Sequence, residues 1–302
     1  MSKRAVSVSL GSSKRDKAVQ LELLSEQVSI ERRGTDGDLE RAALVFKELD
    51  GNVDAFGVGG ADLGLMVDDK WYPLYSVLPM VRYIEKTPVV DGSGLKNTLE
   101  YQVGEFLEQN LSAELDRLGR RVLFTAGADR WGMSMAFVDR GYEYIFGDLM
   151  FGLGLPFPVR SVKTVKWLVS LALPVVGRLP LAWLYPTGEK QDVQHPKWEK
   201  YYQWATVIAG DRHYIVHHMP PRLEDKVIVT NTTTADDVEI FRRAGVRYLV
   251  TTTPVLAGRS FGTNMMEAAL VAAAGRGRKL SHKELAAMLE ELKIEPQIQR
   301  LN

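Results

Sequence analysis

Val122-Leu-Phe-Thr-Ala126-Gly-Ala-Asp-Arg-Trp-Gly132-Met-Ser-Met-Ala136 is the stretch on which the fold reading turns. An apolar strand, Val122–Ala126, runs into a glycine turn and then into a helix over Met133–Arg140, followed by a second strand over Glu143–Phe146. A dinucleotide-binding turn needs glycine for the tight bend, glycine where a pyrophosphate nears the backbone, glycine for close helix packing, and a small residue one turn later. Gly127, Gly132 and Ala136 stand at the first, third and fourth of these positions, and Asp129 stands at the second. A carboxylate there crowds and repels a diphosphate resting on the helix N-terminus, unless Arg130 offsets its charge or Asp129 turns away to cap the helix.

Outward from this unit the pattern repeats. Thr206–Ala209, Val227–Thr230 and Arg247–Thr251 are three more short apolar strands, with a helix over Ala235–Ala244 between the last two. Strands alternating with helices imply a parallel sheet. The expected fold class is therefore α/β, a Rossmann-like doubly wound parallel sheet with a smaller N-terminal α/β lobe. The lobe, residues 1–117, opens on the strand Ala5–Leu10 and a hairpin of Leu21–Leu24 with Val28–Glu31. A helix over Leu39–Leu49 follows, capped by Asp38, then the strand Val53–Val58 and helices over Ser76–Glu85 and Leu95–Asn110. The sheet domain spans 118–275 with a proline- and aromatic-rich insertion at 151–203, and a C-terminal helix fills 276–302. That helix opens on a capping box of Ser281 and Glu284.

Composition narrows the function classes. The 302 residues carry 38 basic and 38 acidic side chains, so no global charge draws the chain to nucleic acid. Cysteine is absent, which removes disulfides, thiolate metal sites and a cysteine nucleophile, and no histidine spacing suits a metal. Six asparagines and no cysteine hint at a thermophilic source. The N-terminal residues lack an apolar signal core, and a cytoplasmic protein is expected. The most apolar run, Trp167–Gly177, is broken by Pro174 and is too short for the roughly 20 residues that cross a bilayer. It reads as a core helix or as a homodimer face through 165–185, with a lipid-facing or lipid-substrate segment as the alternative.

Several side chains gather at the carboxyl ends of the strands, where such sheets bind ligands. Gly127, Ala128, Asp129, Arg130, Trp131 and Gly132 line the first turn, and Asp148 ends the next strand at the distance where an acid takes ribose hydroxyls. Asn231, Thr232 and Thr233 follow one later strand and Thr253 another, with Gly262 beyond. The expected cofactor is NAD or NADP, with NAD favoured by Asp148; a turn that binds no nucleotide is the plainer reading. The segments Gly127–Ala136, Asn231–Thr233 and Thr253–Ala269, the last with Gly262 and Met265–Ala268, resemble the shikimate/quinate dehydrogenase family. That resemblance implies an NAD(P)-dependent oxidoreductase of a small hydroxylated, carboxylated substrate.

Hydride transfer from a carbinol requires a group that moves the hydroxyl proton. In Asp91-Gly-Ser-Gly-Leu-Lys96-Asn-Thr98 the expected catalytic pair is Lys96 oriented by Asp91, with Ser93 and Asn97 on substrate. The polar cluster Tyr185–Gln191 offers Thr187, Glu189 and Lys190 as a substrate loop, and His213 borders the same sheet edge. Each is also readable as an ordinary solvated turn. Two alternatives stay open: a non-redox transferase or lyase using the same cleft for a nucleotide or phosphorylated ligand, and a non-catalytic ligand-binding protein.

Overall fold

The computed structural model describes residues 2–180, 195–252, 255–256, 259–260 and 262–302. In chain order the elements begin with β1 (Lys3–Ser9), β2 (Lys17–Leu23), β3 (Glu26–Gly34), α1 (Leu39–Leu49), β4 (Ala55–Gly59), β5 (Gly64–Val67), β6 (Lys70–Pro73) and β7 (Val89–Val90). Next come α2 (Ser93–Tyr101), α3 (Val103–Leu118), β8 (Arg121–Phe124), α4 (Trp131–Val138), β9 (Glu143–Phe146) and α5 (Val162–Val176). The remainder is α6 (Glu199–Trp204), β10 (Val207–Ala209), α7 (Arg212–His218), β11 (Val227–Thr230), α8 (Ala235–Arg243), β12 (Tyr248–Thr251), β13 (Val255–Leu256), β14 (Arg259–Ser260), α9 (Thr263–Ala274), α10 (His282–Glu291) and β15 (Gln297–Arg300). The expected α/β class with parallel sheets is what the chain forms. It divides into two compact units, one of Met1–Thr98, Ala172–Tyr185 and Pro254–Ile294, the other of Leu99–Leu171, Pro186–Thr253 and Glu295–Asn302.

The first unit holds a five-stranded sheet in the order β2-β3-β1-β4-β7, parallel except for β2. Its two faces differ in side-chain size because strand side chains alternate. Val6, Val8, Phe56 and Val58 join the α1 core with Ala42, Phe46 and Met80. Phe46 meets Phe56 edge-on, with ring centroids 5.0 Å apart. Alternating with them are Ala5, Ser7 and Ser9 on β1 and Ala55, Gly57 and Gly59 on β4, and alanine-rich α9 packs on both strands. The helix sits so close that a Cβ at Gly57 would come within 2.7 Å of the Asn264 carbonyl oxygen. Asn264 in turn donates to Ser7 Oγ at 2.6 Å.

The second unit holds a six-stranded sheet in the order β9-β8-β10-β11-β12-β15, parallel except for the antiparallel edge strand β15. Counting parallel strands in chain order, this is a 2-1-3-4-5 arrangement, so the chain reverses direction of travel across the sheet between β8 and β10. A crevice at the carboxyl ends of those two strands is where such sheets accept ligands. Leu123, Ile145, Ile208, Ile228 and Leu249 pack one face of the sheet against Tyr202, Ile215 and Phe241.

Three local expectations are revised. The helix expected over Ser76–Glu85 is a single 3-10 turn at Leu78–Val81, where Pro79 withdraws a backbone donor. The helix expected over Leu95–Asn110 is two helices, α2 and α3, separated at Gln102. Within 276–302 the helix stops at Glu291 and Gln297–Arg300 pairs with β12, because Pro296 cannot continue a helix. At α8 the Thr234 hydroxyl accepts from Asp237 N at 3.2 Å and Asp237 accepts from Thr234 N at 2.8 Å, a reciprocal cap. Thr234→Ala is expected to lower unfolding stability by about 1 kcal/mol, measured by urea denaturation.

Candidate functional site

The turn after β8 is built around its own side chains. Gly127 lies on the Phe146 ring, so closely that a Cβ would come within 2.3 Å of Phe146 Cδ1, and its carbonyl accepts from Ser134 Oγ at 3.0 Å. Glycine is therefore required here by packing, whatever the turn binds. Ala128 N donates at 2.8 Å to Asp148 Oδ1, so this N–H of the turn is already paired with a protein carboxylate. Asp148 Oδ2 is buried with no hydrogen-bond partner among the described residues. Burial pushes the Asp148 carboxyl up to about 6 against the pull of these N–H groups, and the charge of Asp129 adds to the rise.

Arg130 lies at the reversal point between β8 and β10. Its guanidinium, 9% exposed, donates to Glu100 Oε1 at 2.6 Å and Asp211 Oδ2 at 2.5 Å, and its Nε is 3.2 Å from Asp129 Oδ2. Burial opposes its charge, but the fields of Glu100, Asp211 and Asp129 win, so its proton is held more firmly than in water. Asp211 is held in place by two further bonds: it caps α7 through His213 N at 2.9 Å and accepts from Asn231 Nδ2 at 3.0 Å. Asn231 Oδ1 in turn accepts from Thr230 Oγ1 at 3.1 Å. Arg212 donates from Nε to buried Asp237 at 2.5 Å. One connected polar network thus runs along the carboxyl ends of β8, β10 and β11. Tyr214, partly buried, feels Asp129, Asp211 and Asp148; burial and those charges raise its phenol.

Of the residues expected from sequence, Gly127, Ala128, Asp129, Arg130, Trp131, Gly132, Asp148, Asn231, Thr232, Thr233 and His213 all belong to this edge of the second unit. Trp131 is buried and stacks on Phe146 at 6.4 Å. His213 stacks on His217, ring centroids 5.8 Å apart. Among the described residues no group of three or more His, Asp or Glu side chains could hold a metal ion. Asp91, Ser93, Lys96, Asn97 and Gly262 lie in the first unit. There Asp91 accepts from Leu63 N at 2.8 Å and Ser93 N at 3.0 Å, tying both oxygens to backbone, while Lys96 Nζ is 3.8 Å from Asp62. Asn97 donates back to Ser93 O within its own helix at 2.9 Å. Thr253, Thr187, Glu189 and Lys190 lie outside the described residues. Sequence reading missed Glu100, whose signal was an acid beside buried Leu99 and three residues before buried Val103. It also passed over Tyr214 and the Arg212–Asp237 pair.

The nicotinamide oxidoreductase reading is corrected on these grounds. At the turn expected to cradle NAD or NADP, Ala128 N is bonded to Asp148, and Arg130 is paired with three carboxylates. Residues 4–91 match a model described as Domain of unknown function (DUF8753), and residues 94–301 match one described as Domain of unknown function (DUF8754), which replaces the shikimate/quinate dehydrogenase resemblance. No curated protein matches the chain.

Among solved structures, a Mycobacterium smegmatis protein in complex with Beta-D-Fucofuranose is 11% identical with a TM-score of 0.34, over 97% of this chain and 95% of its own. A periplasmic ribose ABC transporter from Conexibacter woesei DSM 14684 is 7% identical with a TM-score of 0.39, over 96% and 95%. A galactofuranose binding protein is 12% identical with a TM-score of 0.37, over 96% and 98%. The match over residues 94–301 covers more than half of the 302 residues, and the chain belongs to the family described as Domain of unknown function (DUF8754).

Proposed function

We propose that the chain is a non-catalytic ligand-binding protein that takes a neutral, polyhydroxylated small molecule at the carboxyl edge of the second unit's sheet. One observation carries this reading. Glu100, Asp129 and Asp211 pair with Arg130 at the reversal point, and the charge of Asp129 reaches Asp148. Asp129 and Asp211 keep 31% and 25% of their side chains exposed. Carboxylates accept hydrogen bonds from hydroxyl groups, often two from neighbouring hydroxyls, and repel phosphate and carboxylate ligands. Asn231, Thr232 and Thr233 add an amide and hydroxyls beside them. The ion pairs and the helix cap hold the acids in fixed orientations before any ligand arrives, which lowers the ordering cost of binding.

Isothermal titration with ribose, galactose and inositol, each beside a phosphorylated counterpart and NAD+, tests this. A neutral polyol is expected to bind, with its phosphorylated form weaker by roughly tenfold or more. Tighter binding of the phosphorylated form, or of NAD+, overturns the reading. Turnover of the bound polyol would favour a non-redox enzyme at the same edge, with Asp148 as the group poised near neutral pH.

A further inference from the structure

Helix α5 is apolar on two opposite faces. Val165, Val169 and Leu173, four residues apart, are buried. Lys163, Trp167, Leu171 and Val175 form a second row at the same spacing, and Trp167, Leu171 and Val175 are 62%, 63% and 66% exposed. A surface helix ordinarily puts charge on its outer face. The preceding loop adds Leu153 at 65% and Phe157 at 60% exposure. Exposed apolar groups in such a cluster mark an interaction surface.

The charge pattern identifies the partner. From Leu149 to Gly188 the sequence contains no Asp or Glu and four basic residues, Arg160, Lys163, Lys166 and Arg178. Elsewhere the balance is reversed, 34 basic against 38 acidic, from the totals of 38 and 38 less these four. Arg160 is partly offset by Glu143 at 3.5 Å; Lys163 is exposed in line with Trp167. A second copy docked face to face would set these cations against themselves with no acid from the segment between them. Lys166 lies over the Trp131 ring and Arg178 over the Tyr75 ring, so a lipid surface with anionic headgroups meets both features through the apolar row, taken into the acyl boundary, and Lys163 beside it, at the headgroups.

We propose that α5 and the loop before it dock the protein onto an anionic bilayer surface. Among the described residues no helix is long and apolar enough to cross a membrane, and α5 has 15 residues, so it lies in the plane of the interface with Trp167 at headgroup depth.

Co-sedimentation of the full chain with vesicles of phosphatidylcholine alone, and with a third phosphatidylglycerol, tests this at low and high salt. Binding is expected only to the anionic vesicles, weakening as salt rises. Lys163→Glu is expected to weaken it by roughly fivefold or more, since a basic residue near such a surface contributes about 1 kcal/mol. Leu171→Glu and Trp167→Glu are expected to abolish it with melting temperature unchanged. Equal binding to both vesicle types, no binding, or variants that bind like the parent would overturn the proposal. So would a parent that is dimeric by light scattering and a Leu171→Glu variant that is monomeric, which would assign the face to a second copy. If either glutamate variant on the apolar row fails to fold, Lys163→Glu alone decides.

Discussion

Arg130→Ala is expected to destabilise the protein by about 3–5 kcal/mol, the cost of breaking a buried charge cluster by removing one partner. Glu100, only 2% exposed, loses the guanidinium bonded to it at 2.6 Å, and Asp211 loses one of the groups that fix it at the sheet edge. Against a typical total of about 5–15 kcal/mol this is a large fraction, readable in the midpoint of urea unfolding. Arg130→Lys should rescue little, because an ammonium cannot spread planar donors across Glu100, Asp129 and Asp211. Arg130→Met combined with Glu100→Leu removes cation and buried acid together and should recover most of the loss. A double variant as unstable as Arg130→Ala would mean that packing volume, and not uncompensated charge, sets the cost.

The second large effect is one of pH. Glu267 on α9 is buried; its Oε2 accepts from Leu95 N at 3.0 Å, at the start of α2. Burial, helped by the charge of Asp91, pushes its carboxyl up from 4.5 to about 7, against the pull of the Leu95 and Gly94 N–H groups and Lys279. Because the folded value lies above the unfolded one, folding favours the protonated acid. Its contribution is full below about pH 4.5 and is lost as pH rises through about 7.

The whole difference is about 3 kcal/mol at roughly 1.4 kcal/mol per pH unit. Glu267→Gln keeps a carbonyl oxygen for Leu95 N and cannot ionise, so its stability relative to the parent should rise by up to about 3 kcal/mol between pH 4.5 and 8. Asp148, raised to about 6, slopes in the same direction in both proteins and cancels in the comparison. A parent-to-variant difference that does not change with pH would show that Glu267 titrates as an ordinary surface acid.

Local order was readable from the sequence where one residue type decides it. Asp38 caps α1 through Arg41 N at 2.9 Å, and Ser281 with Glu284 forms the reciprocal cap of α10, both as the spacing implies. The strand, glycine turn and helix over Val122–Val138 also follow their pattern. What the turn is for was not readable. Asp148 stands at the distance from Gly127 that suits a ribose contact, but whether its carboxylate points outward to a ligand or inward to Ala128 N depends on how β9 packs beside β8. The Arg130 cluster joins Glu100, 30 residues away, to Asp211, 81 residues away, and only the assembled sheet brings them together. The dehydrogenase resemblance failed for the same reason, since the glycines it rests on are explained by contacts such as Phe146 under Gly127.

The two faces of the first unit's sheet have different evolutionary freedom. On the α1 side, bulky side chains such as Phe46, Phe56 and Val58 can trade volume with their neighbours, because such cores tolerate compensated hydrophobic exchange. On the α9 side, Ser7, Gly57 and Gly59 have no volume to trade, since the backbone at Asn264 already stands where a methyl group on Gly57 would go. Homologues should therefore drift freely along one surface of β1 and β4 and stay fixed at minimal size along the other, with α9 recording in its alanines the distance at which it must sit.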